Sequence, residues 1–80
     1  MTMILYTKTG CPWCNAARDF LKEKSVHFEE RNVTENPDFM KEMVEKSGQS
    51  KAPTVDIDGH ILADTDAEAI GAYLKEKGLL

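Results

Sequence analysis

The chain has 80 residues, of which 41% are apolar, and it carries two cysteines and a formal net charge of −4. This length suits one domain with a modest core, spanning residues 1–80, and is too short for two independent domains. The negative charge, spread among mixed acidic and basic residues, argues against nucleic acid as a partner. The first residues lack the features of a secretory signal, and no later stretch is long enough to span a bilayer. We therefore expect a cytoplasmic protein with no membrane contact.

The first third of the chain predicts a strand followed by a helix. β-branched and apolar residues in Thr2–Thr7 predict a buried first strand, which ends in a turn at Gly10. Proline suits the first position of a helix, so a helix is expected over Pro12–Lys24. Its apolar face also carries Cys14, which is therefore expected to be buried.

The middle of the chain predicts a second strand and a second helix. The strand is expected over Val26–Val33. Asn36 and Pro37 then form a typical helix start, with an N-cap residue followed by proline. The apolar stripe of this second helix ends at Gly48, which is a typical C-terminal cap.

The last third predicts a hairpin and a third helix. Two short strands, Thr54–Ile57 and His60–Ala63, flank the turn pair Asp58-Gly59. The segment Thr65-Asp66-Ala67-Glu68 has the capping-box pattern of a helix start, and Gly78 closes that helix. The order βαβαββα requires a parallel first strand pair and an antiparallel hairpin. It predicts an α/β fold with a mixed four-stranded sheet and three helices.

The spacing of the two cysteines favours redox chemistry over a structural role. Cys11 and Cys14 are three positions apart, and a disulfide that closes so small a loop removes little entropy from the unfolded chain. A zinc site needs about four ligands. The chain has no second cysteine pair, and predicted strands separate His27 and His60 from the cysteines. We therefore expect no metal site.

The position of the cysteines predicts a separate role for each. Cys11 lies where a strand meets a helix, so its sulfur is close to unpaired backbone N–H groups and to the positive end of the helix dipole. Both favour the thiolate, and Lys8 adds a nearby positive charge. Cys11 is therefore the predicted nucleophile. Cys14, one helical turn further on, is the predicted resolving thiol, which attacks a mixed disulfide formed at Cys11.

Three segments resemble dithiol glutaredoxins, and the resemblance extends along nearly the whole chain. The segment Tyr6-Thr7-Lys8-Thr9-Gly10-Cys11-Pro12-Trp13-Cys14 resembles the family's active-site segment, with Trp13 where tyrosine is commoner. Ser47–Pro53 is similar to the segment that leads to the family's cis-proline, and Ile57–His60 is similar to the hairpin that follows. The resemblance implies a thioredoxin-like fold.

The resemblance also implies substrates and binding residues. The expected substrates are glutathione, glutathione mixed disulfides including glutathionylated proteins, and protein disulfides such as that of ribonucleotide reductase, and no tightly bound cofactor is implied. In the family, a lysine before the motif and a polar side chain in the Gly-Gln segment contact the glycine carboxylate of glutathione, which here points to Lys8 and Gln49. By the same resemblance, the backbone of Ala52 is expected to pair with the glutathione cysteine beside Pro53. The predicted substrate-binding set is completed by Pro12, Trp13, Thr65 and Asp66. We expect a monomer.

Several residues keep two interpretations at this point. Pro53 is either the family's cis-proline or a trans-proline at the start of a strand. Trp13 either packs on a partner peptide or covers the loop and screens Cys14. Asp56 stands where an apolar residue is usual, so it either faces solvent or has a local partner.

A departure from the family pattern leaves the reductant open. Leu62-Ala63 replaces the two glycines that usually line the pocket for the γ-glutamyl group. Thr65 and Asp66 still offer helix N-terminal N–H groups and a carboxylate there. A glutathione-dependent oxidoreductase is the first hypothesis. The second is a glutaredoxin-like redoxin reduced by a thioredoxin-reductase-type flavoenzyme, and the third is a metal or iron–sulfur carrier that uses Cys11 with external ligands.

Overall fold

The computed structural model describes residues 1–80 and contains three helices and four strands. The helices are α1 (Pro12–Glu23), α2 (Pro37–Ser47) and α3 (Ala67–Glu76), and the strands are β1 (Met3–Thr7), β2 (Glu29–Asn32), β3 (Thr54–Ile57) and β4 (His60–Leu62). Their order and the mixed four-stranded sheet confirm the predicted fold class. No helix is both long enough and apolar enough to cross a membrane.

The sheet has the strand order β2-β1-β3-β4. β1 runs parallel to β2 and antiparallel to β3, and β3 is antiparallel to β4. The second strand is shorter than the predicted Val26–Val33. The N–H of Val26 donates to the carbonyl of Leu21 at the end of α1, and Val26 and Phe28 pack against the core instead of pairing with β1.

Alternate side chains of β1 face opposite sides of the sheet and build two cores. Met3 and Leu5 face α1 and α3, whereas Tyr6 packs with Met43 of α2. The larger core consists of Met3, Leu5, Ala17, Leu21, Val55, Ile57, Ile70 and Leu74. Packing on both faces of this central strand fixes the position of its carboxyl end. The loop of residues 8–11, which ends at Cys11 and is called the cysteine loop below, begins there.

The starts of α2 and α3 are capped by side chains. Asn36 accepts a hydrogen bond from the N–H of Asp38 at 2.9 Å, as the sequence predicts. The capping-box prediction for α3 is wrong by one residue, because Asp66, not Thr65, is the N-cap. Its carboxylate accepts the N–H of Ala69 at 2.8 Å.

Candidate active site

The two cysteines lie at the start of α1, just after the end of β1. Cys11 is the N-cap of this helix, and its Sγ accepts the backbone N–H of Cys14 at 3.2 Å. The first turn contains no acidic residue. N–H groups at the start of a helix have no carbonyl partner within it, and the helix dipole is positive there. A thiolate on Cys11 is therefore stabilised by the helix that follows it.

The two cysteines differ in exposure. They are joined by a disulfide, with their Cα atoms 5.2 Å apart. Cys11 is half-buried, whereas Cys14 is fully buried on the inner face of α1 with Ala17 and Leu21. A partner sulfur therefore reaches Cys11 first, and Cys14 is placed to attack Sγ of Cys11 once that atom is bonded to the partner sulfur. This arrangement suits the predicted nucleophile and resolving thiol.

The loop before β3 forms the second wall of the site. The Ala52–Pro53 peptide bond is cis, which decides between the two interpretations of Pro53. The carbonyl oxygen of Ala52 lies 3.9 Å from Sγ of Cys11. A hollow of about 180 Å³ opens beside this loop, and its lining residues are Trp13, Ala52, Pro53, Asp64, Thr65 and Asp66. The fold therefore brings together distant residues that the sequence predicts to bind substrate.

Comparison with known proteins identifies the family. The family model described as Glutaredoxin matches residues 3–62. The chain belongs to the glutaredoxin family. Its fold is thioredoxin-like, and its two close cysteines make it a thiol-disulfide oxidoreductase.

Individual glutaredoxins and related proteins match over most of the chain. Glutaredoxin 3 of Escherichia coli K12 is 36% identical over 69 residues, which cover 85% of this chain and 83% of the relative. The glutaredoxin-like protein NrdH of Lactococcus lactis is 32% identical over 51 residues, or 64% of this chain and 69% of the relative. The solution structure of glutaredoxin from Brucella melitensis has a TM-score of 0.69 and 29% identity, covering 98% of this chain and 82% of that one.

Trp13 forms an exposed wall of the glutaredoxin site. Its side chain is 68% exposed, although it lies one residue before the fully buried Cys14. A ring that only screened Cys14 would lie against the protein and be largely buried. The exposure therefore favours contact with a partner, the first of the two interpretations.

The predicted contacts outside the hollow are not equally available to a ligand. Lys8 is half-buried in the loop before Cys11, and Pro12 is exposed at the first position of α1. Gln49 instead makes hydrogen bonds within its own loop. Its Nε2 donates to the hydroxyls of Ser47 at 2.8 Å and Thr54 at 3.1 Å. Its Oε1 accepts the N–H of Lys51 at 2.6 Å.

Thr54 organises both loops around the hollow, although the sequence predicts only a strand residue there. This fully buried hydroxyl donates to the carbonyl of Lys51 at 2.8 Å. It accepts hydrogen bonds from the side chain of Gln49 at 3.1 Å and from the N–H of Asp64 at 3.2 Å. A polar residue directly after a cis-proline, at the start of a buried strand, is the signal that points to this role.

The loop after β4 gives the hollow a negative rim. The N–H of Thr65 donates to the carbonyl of Pro53 at 2.8 Å, so it does not point to a ligand. The Asp66 carboxylate caps α3. The Asp64 side chain is 56% exposed, and its Oδ2 lies 4.0 Å from Nζ of Lys51. Asp64 is a second carboxylate at the hollow that sequence reasoning missed.

Asp56 has a local partner, which decides between its two interpretations. Its carboxylate accepts hydrogen bonds from Nζ of Lys46 and the N–H of Gly59, at 2.8 Å and 2.7 Å. Burial alone would raise the pKa of Asp56, but these two hydrogen bonds lower it below its ordinary value. Lys46 also donates to the hydroxyl of the buried Tyr6 at 2.8 Å, and Tyr6 in turn donates to Glu42. These bonds link α2 to β1 and β3.

Proposed function

We propose that this glutaredoxin uses glutathione to reduce protein disulfides and glutathione mixed disulfides. One observation carries the proposal: Sγ of the half-buried Cys11 lies at a helix start and 3.9 Å from the carbonyl oxygen of Ala52. An extended tripeptide that pairs with the backbone of Ala52, in the manner of an added strand, brings its own sulfur to Cys11.

The charged groups around this position suit the ends of glutathione. The tripeptide carries a carboxylate at its glycine end, and both a carboxylate and an ammonium at its γ-glutamyl end. Lys8 is the proposed partner of the glycine carboxylate. The hollow lined by Trp13, Thr65 and Asp66 is the proposed place of the γ-glutamyl group, where the start of α3 favours the carboxylate and the acidic side chain favours the ammonium.

The chemistry needs two successive thiol–disulfide exchanges. The Cys11 thiolate attacks one sulfur of the substrate disulfide, forms a mixed disulfide and releases the other sulfur as a thiolate, which takes up a proton. The Cys14 thiolate then attacks Sγ of Cys11, which forms the Cys11–Cys14 disulfide and releases the second substrate thiol. Two glutathione molecules restore the dithiol and leave as glutathione disulfide. The protein thereby transfers two electrons per cycle.

A coupled assay tests the reductant. Reduction of a small glutathione mixed disulfide is followed with NADPH, once with glutathione and glutathione reductase and once with thioredoxin reductase. We expect turnover in the first mixture. Turnover only in the second mixture rejects glutathione dependence while leaving the dithiol chemistry intact.

Single-cysteine variants test the two roles. Cys11→Ser should abolish turnover of every substrate. Cys14→Ser should retain reduction of glutathione mixed disulfides, which needs one thiol, and should lose reduction of protein disulfides. Equal loss of both activities in the two variants would contradict the assignment of Cys11 as nucleophile.

A second candidate function is a redoxin that a thioredoxin-reductase-type flavoenzyme reduces. Two observations favour it: the amide of Gln49 is engaged within its own loop, and Asp64 adds a negative charge beside the γ-glutamyl position. Both features weaken recognition of an anionic tripeptide. The second mixture of the coupled assay measures this function directly.

The proposed setting follows from the proposed chemistry. Glutathione is maintained in its reduced form in the cytoplasm, so we place the protein there. Ribonucleotide reductase, whose turnover generates a disulfide, is the proposed example of a protein substrate. A purified oxidised reductase that this glutaredoxin fails to reduce would exclude that partner and leave the other substrates open to test.

A further inference from the structure

Asn32, the last residue of β2, connects two loops at the edge of the active site. It lies opposite Thr7, the last residue of β1, in the parallel register. Its Oδ1 accepts the N–H groups of Thr34 at 2.8 Å and Glu35 at 3.1 Å, which closes the turn between β2 and α2. Its Nδ2 donates to the hydroxyl of Thr9 at 3.2 Å. One amide therefore closes its own turn and also reaches the cysteine loop.

A second hydrogen bond joins the same two loops. The backbone N–H of Thr9 donates to Oγ1 of Thr34 at 3.1 Å, close to the bond from Asn32. We call these two bonds, which hold Thr9 to Asn32 and Thr34, the clasp. Gly10, the next residue, adopts a positive φ of 72°, and Cys11 follows at the start of α1. The clasp therefore holds the chain two residues before the nucleophile.

We propose that Asn32 is a positioning residue that keeps Cys11 at the N-terminus of α1 by holding Thr9. The inference depends on the proposed function only in taking Cys11 as the nucleophile. The contact that the clasp protects is the 3.2 Å hydrogen bond from the N–H of Cys14 to Sγ of Cys11. This hydrogen bond depends on the position in which the loop holds Cys11, because Cys11 is the N-cap of α1 and lies outside the regular helix. A loosened loop lets the sulfur leave the helix N–H groups, and the thiolate then loses their stabilisation.

The test measures the ionisation of the Cys11 thiol directly. In a Cys14→Ser background, the rate of alkylation by iodoacetamide is followed against pH for the parent, Asn32→Ala and Thr9→Val. Each substitution should raise the pH midpoint of the profile by about 0.2 to 0.7, the range that one helix-terminus interaction accounts for. The double variant should rise no further than the larger single change, because both substitutions remove the same bond.

Asn36→Ala is the matched control. Asn36 lies in the same turn and caps α2, but its side chain bonds to Asp38 and not to the cysteine loop. This variant should lose stability and leave the alkylation midpoint unchanged. An unchanged midpoint in folded Asn32→Ala, or an equal rise in Asn36→Ala, would overturn the positioning role. If Asn32→Ala does not fold, Thr9→Val decides the question alone. The assay contains no glutathione, so failure of glutathione dependence leaves its result unaffected.

Discussion

Replacement of Thr54 by valine removes one buried hydroxyl and three hydrogen bonds at once. The bonds join Thr54 to the carbonyl of Lys51 at 2.8 Å, the side chain of Gln49 at 3.1 Å and the N–H of Asp64 at 3.2 Å. Valine has nearly the same shape, so the change creates no cavity in a position that is fully buried. The variant therefore isolates the hydrogen bonds from the packing.

The magnitude follows from the number of bonds and the surroundings of their partners. A hydrogen bond contributes about 0.5–1.5 kcal/mol net, so three would contribute roughly 3 kcal/mol. Gln49 is half-buried and Lys51 and Asp64 are exposed, so water replaces part of what they lose. We expect Thr54→Val to lower the free energy of unfolding by about 2 kcal/mol, which corresponds to about 8–16 °C in Tm for a domain of this size.

Urea unfolding measures the stability, and the coupled assay measures KM for the glutathione mixed disulfide. KM should rise, because both loops around the hollow lose their common anchor. Thr2→Val is the matched control, since Thr2 is exposed at the start of the chain and should change the stability by less than about 0.5 kcal/mol. A loss for Thr54→Val no larger than that of the control would refute the role assigned to this hydroxyl.

Three further outcomes are expected. Asn36→Ala should lower the free energy of unfolding by about 1 kcal/mol in urea, through loss of the α2 cap; an unchanged value would contradict that role. The hydrogen bond from Tyr6 lowers the pKa of Glu42 below 4.5, so this carboxylate contributes its full stability above pH 4.5 and loses it as the pH falls through the lowered value. The free energy of unfolding, measured by urea titration below pH 5, should therefore fall less steeply with decreasing pH for Glu42→Gln than for the parent. An equal pH dependence in the two proteins would contradict this contribution of Glu42. Asp64→Asn removes a negative charge beside the proposed γ-glutamyl position, so it should lower KM for the glutathione mixed disulfide about twofold at low salt and not at high salt. A KM that does not change with salt in this way would show that Asp64 lies too far from the γ-glutamyl group to affect its binding.

The fold was predictable because local signals agree along the chain. The N-cap and proline at Asn36-Pro37, the turn pair Asp58-Gly59 and the strand-to-helix turn at Gly10 each predict the element that the structure contains. The errors lie at the ends of strands and helices, where tertiary contacts decide which residue begins the element. Val26 has a strong strand propensity, but its N–H is taken by the end of α1. Thr65 and Asp66 are both good caps, and the sequence pattern alone selected the wrong one.

The candidate site was predictable where chemistry follows from residue type and spacing. The cysteine pair and Pro53 lie as the pattern and the resemblance suggest, and Trp13 lines the hollow beside Pro53. The supporting hydrogen bonds were not predictable. Asn32 reaches Thr9, 23 residues earlier in the chain, and Thr54 joins its own loop to Asp64, 10 residues later. A side chain's hydrogen-bond partners depend on tertiary geometry that no local pattern encodes.

The charged strand β2 also affects how the folded protein meets other copies of itself. An edge strand exposes unpaired backbone groups on which another chain can add a strand, and such addition is a common route to aggregation. At this edge the strand is Glu29-Glu30-Arg31-Asn32, and at the opposite edge β4 spans only His60–Leu62. Charge at one edge and short length at the other both disfavour pairing between copies. Both edges of the sheet are therefore poorly suited to adding a strand from a second copy of the chain.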